Sequence, residues 1–143
     1  MISNTDLQIE IEVDSCINKL DLEGEILRTP KIFQKYLKYH YDYKVNIARG
    51  ESLLNAMIIR RIKYYKGQGT ADEYRDEPFN ENISNQKVLE SYLDGDAKLC
   101  DYREKIVDLE STRDTIHQMI ENLKYRNNSI QTILSIRQFE SGA

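Results

Sequence analysis

The 143-residue chain has no tryptophan, two cysteines, two prolines and six glycines. Each shortage excludes something. Cys16 and Cys100 are too few for a disulfide framework, and neither has the paired neighbour of a zinc site. An all-β domain needs a turn signal about every 8–12 residues, which so few glycines and prolines do not supply. The longest apolar run, Ala56-Met57-Ile58-Ile59, falls far short of the roughly 18 residues that suit a membrane span. The first residues, Met1 to Asp6, lack the basic start of a signal peptide. A net charge of only −4 beside 40% hydrophobic residues excludes a disordered acidic tail. What remains is a soluble, intracellular, all-α protein built from long helices.

The small net charge conceals three blocks. Residues 1–27 carry seven acids against Lys19, residues 28–66 carry ten bases against Asp42 and Glu51, and residues 67–143 are acidic again. The basic block also holds six of the ten tyrosines: Tyr36, Tyr39, Tyr41, Tyr43, Tyr64 and Tyr65. Cations interleaved with flat rings suit an unpaired nucleic acid strand, because phosphates draw the cations and unstacked bases need π-faces. The same composition also arises when a helix with a basic outer face uses tyrosine to cover its core. Either way, one basic segment in an acidic chain points to a localised anionic partner.

Hydrophobic spacing organises the chain into helices. Residues 4–20 alternate like a strand, yet no second strand exists to pair with them, so they read as helix. Thr29-Pro30 is a helix start, with Thr as N-cap and Pro at the first helical position. From there a helix of roughly 55 Å runs to Lys66-Gly67, a basic last turn followed by a C′ glycine, with Gly50 as a place to bend. Residues 67–83 form the one sizeable loop, and a short helix follows over 84–93. The last third has the strongest period. Steps of three and four from Leu99 through Tyr102, Ile106, Leu109, Arg113, Ile116, Ile120, Leu123, Asn127, Ile130 and Leu134 to Arg137 give about six heptads. Asp96 caps this helix, and neither Pro nor Gly interrupts it before Gly142. Two such helices in so short a chain point to a coiled-coil-like helix that closes a homo-oligomeric ring or bundle, with Asn127 setting the register. The other reading packs this helix on the central one within a single chain. The division expected is a region 1–83, carrying the basic helix and acidic loop, and an oligomerisation region 84–143.

No catalytic constellation can be assembled. His40 and His117 are far apart in sequence and have no cysteine partner. The run Asp72-Glu73-Tyr74-Arg75-Asp76-Glu77 lacks the alternating oxygens and closing Glu of a calcium loop. Gly67-Gln68-Gly69 lacks the Gly-Lys-Ser/Thr of a phosphate loop, and no Ser or Cys sits in a nucleophile context. The expectation is no catalytic residue, no metal and no cofactor. A metal-dependent nuclease built on the Asp72–Glu77 cluster is the remote exception.

The segment Arg60-Arg61-Ile62-Lys63-Tyr64-Tyr65-Lys66-Gly67-Gln68-Gly69-Thr70-Ala71-Asp72-Glu73-Tyr74 resembles the hallmark of the UvsY family, recombination mediators of T-even-type phages. There an Arg, two tyrosines, a G-x-G turn and an Asp-Glu-aromatic triplet follow in this order. Gln34-Lys35-Tyr36-Leu37-Lys38-Tyr39-His40 and Arg137-Gln138-Phe139-Glu140-Ser141-Gly142 also agree. Ile59 departs from the pattern, standing where the family has a further base, and Gln68 stands where it can have one. The resemblance implies a non-enzymatic factor in the cytoplasm of an infected bacterial host. Such a factor binds single-stranded DNA, loosens the phage single-stranded DNA-binding protein and loads the RecA-like recombinase UvsX. It also implies a homo-oligomeric ring, a hexamer or heptamer, closed by the C-terminal helices. With the basic pattern, it nominates Arg60, Arg61, Lys63, Lys66, Lys35 and Lys38 for phosphates and Tyr64 and Tyr65 for stacking. Leu99, Ile106, Leu109, Ile116, Ile120, Leu123, Asn127, Ile130 and Leu134 are nominated for assembly. The other reading is a structural coiled-coil protein or assembly chaperone whose basic helix docks on an acidic protein.

Overall fold

The computed structural model describes residues 1–142, which form six α-helices and, among the described residues, no strand. They are α1 (Asn4–Ser15), α2 (Leu22–Tyr65), α3 (Ala71–Asp76), α4 (Gln86–Asp94), α5 (Ala97–Lys124) and α6 (Arg126–Glu140). No helix among them is long and apolar enough to cross a membrane. Local chemistry explains most of the boundaries. The Ser3 hydroxyl accepts the Asp6 N–H at the start of α1, and the Asn85 side chain accepts the N–H groups of Lys87 and Val88 at the start of α4. At the end of α2, Gly67 takes φ +74°, its N–H bonds the Tyr64 carbonyl, and the Gln68 N–H bonds the Lys63 carbonyl. That pair of bonds is a Schellman motif, which satisfies carbonyls the helix would otherwise leave open.

Three boundaries depart from the sequence reading. The central helix begins at Leu22, not at Pro30, which lies inside it. Asp21 supplies the cap by accepting the Gly24 N–H. Thr29 instead donates its hydroxyl to the Glu25 carbonyl and to Asn127 Oδ1. Pro30 removes only the one hydrogen bond its missing N–H would have made, and at 44 residues α2 is about 66 Å long. The loop over 67–83 carries the one-and-a-half-turn α3, capped by Thr70. The C-terminal helix is broken at Tyr125 (φ −99°, ψ −4°), whose N–H bonds three residues back to the Asn122 carbonyl. The break turns the next residue, Arg126, inward.

The chain packs as two compact units. The first comprises Met1–Val45 with Glu110–Ala143, and the second comprises Asn46–Leu109. They interrupt α2 and α5 and do not follow the sequential split at 83/84. In each unit α2 lies antiparallel to the C-terminal helices. In the first unit Thr29 bonds Asn127 and Glu25 pairs with Arg126. In the second, Gly50 faces the Ile106 side chain, where a Cβ would sit 3.5 Å away, and Arg61 pairs with Asp96. Gly50 therefore seats a neighbour in a continuous helix.

This pairing consumes the heptad stripe. Leu99, Ile106, Ile116, Ile120, Leu123 and Ile130 are buried within the chain, Leu109 and Asn127 are half-buried, and Leu134 and Arg137 at its end are exposed. The second reading of the period is the one observed: these side chains are covered by their own chain. The extra eight residues of α2 before Pro30 supply the surface that the shorter predicted helix lacked. Each such Leu or Ile contributes about 1.5–3 kcal/mol of burial. In the first unit the core also holds Leu7, Leu22, Ile32, Tyr36, Tyr43 and Met119.

Candidate nucleic-acid interface

The second unit contains a cluster of rings, three of which, Tyr64, Tyr65 and Tyr74, come from the hallmark segment. Tyr64, Tyr65, Ile83 and Leu89 are its buried members, with Tyr74, Phe79 and Tyr92 packed against them. Tyr64 stacks on Tyr74 at 5.2 Å between centroids with 19° between planes, and meets Tyr65 edge-on at 5.2 Å. The Tyr74 hydroxyl donates to the Tyr64 carbonyl (2.7 Å) and accepts the Gly69 N–H (3.0 Å). This explains both glycines of the turn. Gly67 adopts a left-handed conformation, while a Cβ on Gly69 would stand 3.1 Å from the Tyr74 ring. The Tyr64 hydroxyl closes the set by donating to the Glu77 carbonyl at 2.8 Å.

Arg61 lies across these rings. Its guanidinium carbon is 4.2 Å from the Tyr64 centroid and 5.1 Å from that of Tyr65, a cation–π arrangement. Nε donates to Asp96 Oδ2 at 2.7 Å, and the two terminal nitrogens donate to the Glu77 carboxylate at 3.2 Å each. Tyr65 donates its hydroxyl to the same Asp96 oxygen at 2.6 Å, and Asp96 Oδ1 accepts the Leu99 N–H that opens α5. The electrostatics agree. Burial acts to lower the Arg61 pKa, but Tyr65, Glu77 and Asp96 override it and raise it. Burial would raise Asp96, yet Tyr65, the Leu99 N–H and Arg61 hold it below its ordinary value. Arg61 itself lowers Glu77, and Tyr65 is pushed up to about 12, first by burial and then by Asp96. The Arg61 guanidinium is thus 7% exposed and shared by two carboxylates.

The nominated strand-binding residues therefore separate. Arg61, Tyr64 and Tyr65 are interior, and no face of either tyrosine is free, because both rings are covered by Arg61, Phe79 and their neighbours. The physical reason is local: positions 61, 64 and 65 follow one another on the inward side of a helix whose last turn must seat α3 and α4. Arg60, Lys63 and Lys66 are exposed and make no ion pair among the described residues. Arg60 lines a cavity of about 280 Å³ with Met57, Asp72 and Asp76. In the first unit Lys38 is exposed, whereas Lys35 is half-buried and pairs with Glu10 (3.0 Å) and Asp14. Sequence reasoning missed Glu77 as a partner and treated Asp96 only as a cap. An Asp that both caps a helix and accepts from a distant Arg has no local signature for its second role. Among the described residues no group of three or more His, Cys, Asp or Glu side chains is placed to hold a metal ion.

A family model described as recombination, repair and ssDNA binding protein UvsY matches residues 10–143. The recombination protein uvsY of Enterobacteria phage T4 is 23% identical over 137 residues, covering 96% of each chain. The fold is that of the bacteriophage T4 recombination mediator protein UvsY. Its lattice type IV crystal structure is matched with a TM-score of 0.84 at 21% identity, over 96% of this chain and 99% of that one. The lattice type II structure is matched with 0.83 at 23% identity over 99% of each. The chain belongs to the UvsY family of recombination, repair and single-stranded-DNA-binding proteins.

Proposed function

We propose that this chain mediates recombination without catalysing a reaction, holding single-stranded DNA on an exposed basic side of α2 so that a RecA-like recombinase can be loaded. Its contacts are Arg60, Lys63 and Lys66, joined by Arg49, which lies eleven residues before Arg60 and so within about 20° of its direction. The observation that carries this reading is that all four are exposed and make no ion pair among the described residues, three of them on the segment that defines the family. Arg61, Tyr64 and Tyr65 act one step back. They anchor the last turn of α2 to α3 and α4, so that the neighbouring cations project in fixed directions. In the first unit Lys38 and Tyr41, the latter 65% exposed, offer a phosphate contact and a free ring face.

Because the heptad stripe is covered within the chain, assembly into a ring of six or seven copies falls to other residues. Ile136 and Phe139, three residues apart and so on one side of α6, form an exposed apolar patch, with Phe139 86% exposed. A ring would gather several weak sites, so that later contacts with one strand are intramolecular. It would thereby compete with a single-stranded DNA-binding protein in the host cytoplasm and present the strand to the recombinase.

The test is the salt dependence of binding to a fluorescent oligo-dT. Each single-strand phosphate contact contributes about −0.7 to the slope of log affinity against log salt. Arg60→Ala with Lys63→Ala should flatten that slope by about 1.4 while leaving stability within about 0.5 kcal/mol; an unchanged slope removes both residues from the interface. In sedimentation, Phe139→Asp should shift the protein toward monomers, and an unaltered oligomer would rule out the α6 patch.

A further inference from the structure

Within the first unit, α1 is held to α2 in an unusual way. Leu7 is its only fully buried apolar side chain, and Ile9 and Val13 face outward. Ile11, one turn on, is half-buried, the Tyr43 hydroxyl donates to the Ile2 carbonyl just before α1 (2.7 Å), and the polar part of the docked face is carboxylate. Asp14, itself buried, accepts from Lys35, from Arg28 (3.4 Å) and from the Tyr36 hydroxyl (2.9 Å). Glu10 accepts from Lys35 (3.0 Å) and from the Tyr39 hydroxyl (2.9 Å). At the C-terminal end of α1 the packing leaves a cavity of about 220 Å³ lined by Ser15, Ile17, Met119 and Leu123 among others. A helix seated by one buried Leu, a half-buried Ile and two paired carboxylates owes much of its docking to ion pairs, which competing anions can replace.

What α1 covers is ordered. Arg28, Lys31, Lys35 and Lys38 follow at i, i+3, i+7 and i+10, a spacing that lays four cations along one stripe of α2. Lys31 and Lys38 are exposed, Lys35 is engaged by α1, and the exposed Arg28 is shared between Asp14 of α1 (3.4 Å) and Glu25 of its own helix (3.1 Å). Two carboxylate oxygens on a cation with a tyrosine beside it are the contacts that a phosphate and its base make on an unpaired strand.

We propose that α1 is a displaceable acidic strap over a second strand-binding stripe. The phosphates of single-stranded DNA take the places of Glu10 and Asp14 on Lys35 and Arg28, α1 comes away, and Tyr39 becomes free to stack on a base. The inference rests on the reading of this chain as a single-stranded-DNA binder, but on none of the contacts at Arg60, Lys63 or Lys66. It assigns the acidic N-terminal block a role: an intramolecular competitor that raises the threshold for engaging the first unit.

The experiment uses the full chain with Glu10→Gln and Asp14→Asn together; the Asn retains an acceptor for Tyr36. Oligo-dT affinity should rise on the order of tenfold, a usual size for coupling between two ligands. Glu12→Gln with Glu23→Gln, which removes the same charge from exposed positions, should gain little. Adding Lys35→Ala to the strap variant should cancel the gain and flatten the salt slope by about 0.7. Amide exchange of residues 4–15 in the wild-type chain should quicken when oligo-dT is bound, which decides the matter even if the double variant folds poorly. Unchanged affinity in a folded strap variant, or α1 amides equally or better protected with DNA bound, overturns the proposal. If the wild type binds no oligo-dT but the strap variant does, the strap stands. If neither binds, it falls. Loss of binding on Arg60→Ala with Lys63→Ala speaks only to the other interface, so the two readings fail separately.

Discussion

The two ends of α2 are closed by the same kind of object, a short acidic helix, and by opposite physics. At the C-terminal end α3 and the chain after it bring Tyr74, Glu77 and Phe79 onto Arg61, Tyr64 and Tyr65. Charge there is enclosed by rings, and the Arg61 nitrogens have partners in Asp96, Glu77 and Tyr65. At the N-terminal end α1 brings carboxylates onto Lys35 and Arg28, whose side chains are 34% and 44% exposed, with Leu7 as the apolar anchor. The first arrangement loses buried partners if it opens. The second exchanges ion pairs whose cations are partly hydrated for others of equal kind, with Asp14 as the one buried carboxylate among them. A cationic helix can thus carry one acidic neighbour as scaffold and another as competitor, and the difference lies in how much apolar surface accompanies the charge.

Substitution at the two ends should break or confirm that contrast. Asp96→Ala strands the Arg61 guanidinium, the Tyr65 hydroxyl and the Leu99 N–H in the interior and should cost about 3–5 kcal/mol in urea unfolding. Glu10→Gln on α1 should stay within about 0.5 kcal/mol; equal costs at the two sites would erase the distinction. Tyr64→Ala should cost about 3–5 kcal/mol by emptying the centre of the ring cluster, whereas Tyr64→Phe, losing only its bond to the Glu77 carbonyl, should cost about 1 kcal/mol. The smallest effect is on pH dependence. Glu77 and Asp96 titrate below their ordinary values of 4.5 and 3.8 in the folded chain. Their contribution is therefore present above those values and is lost as pH falls through the depressed folded ones. Glu77→Gln should make the unfolding midpoint less sensitive to pH below about 4.5, read from urea midpoints across an acid series. An acid limb identical to wild type would remove Glu77 from the network.

Much of the scaffold was legible because its signals are local. The Schellman end of α2, the cap at Asp96 and the short helix near 86–94 each follow from a few adjacent residues. Thr29-Pro30 misled because a cap signal is conditional. With Asp21 available eight residues earlier and Asn127 waiting for the Thr29 hydroxyl, the helix extends through the proline. The heptad period was read correctly and its partner was not, since a 3.5-residue stripe records only that a helix packs, not on which chain. The tyrosine pair misled similarly: cations beside rings describe a strand-binding surface and a cation–π core equally well.

The amino-acid order alone determined that the chain is helical, where its longest helix ends, and that its family hallmark couples an arginine to two tyrosines and a glycine turn. These follow from backbone sterics, capping and periodicity, which act over a few residues. Folding alone decided which of the cations face water, because adjacent positions on a helix point about 100° apart and only a packed neighbour selects the inward one. Arg60 and Arg61 are chemically identical neighbours in sequence. Asp96, thirty-five residues on from Arg61, turns one into a buried anchor, while the other stays exposed to solvent.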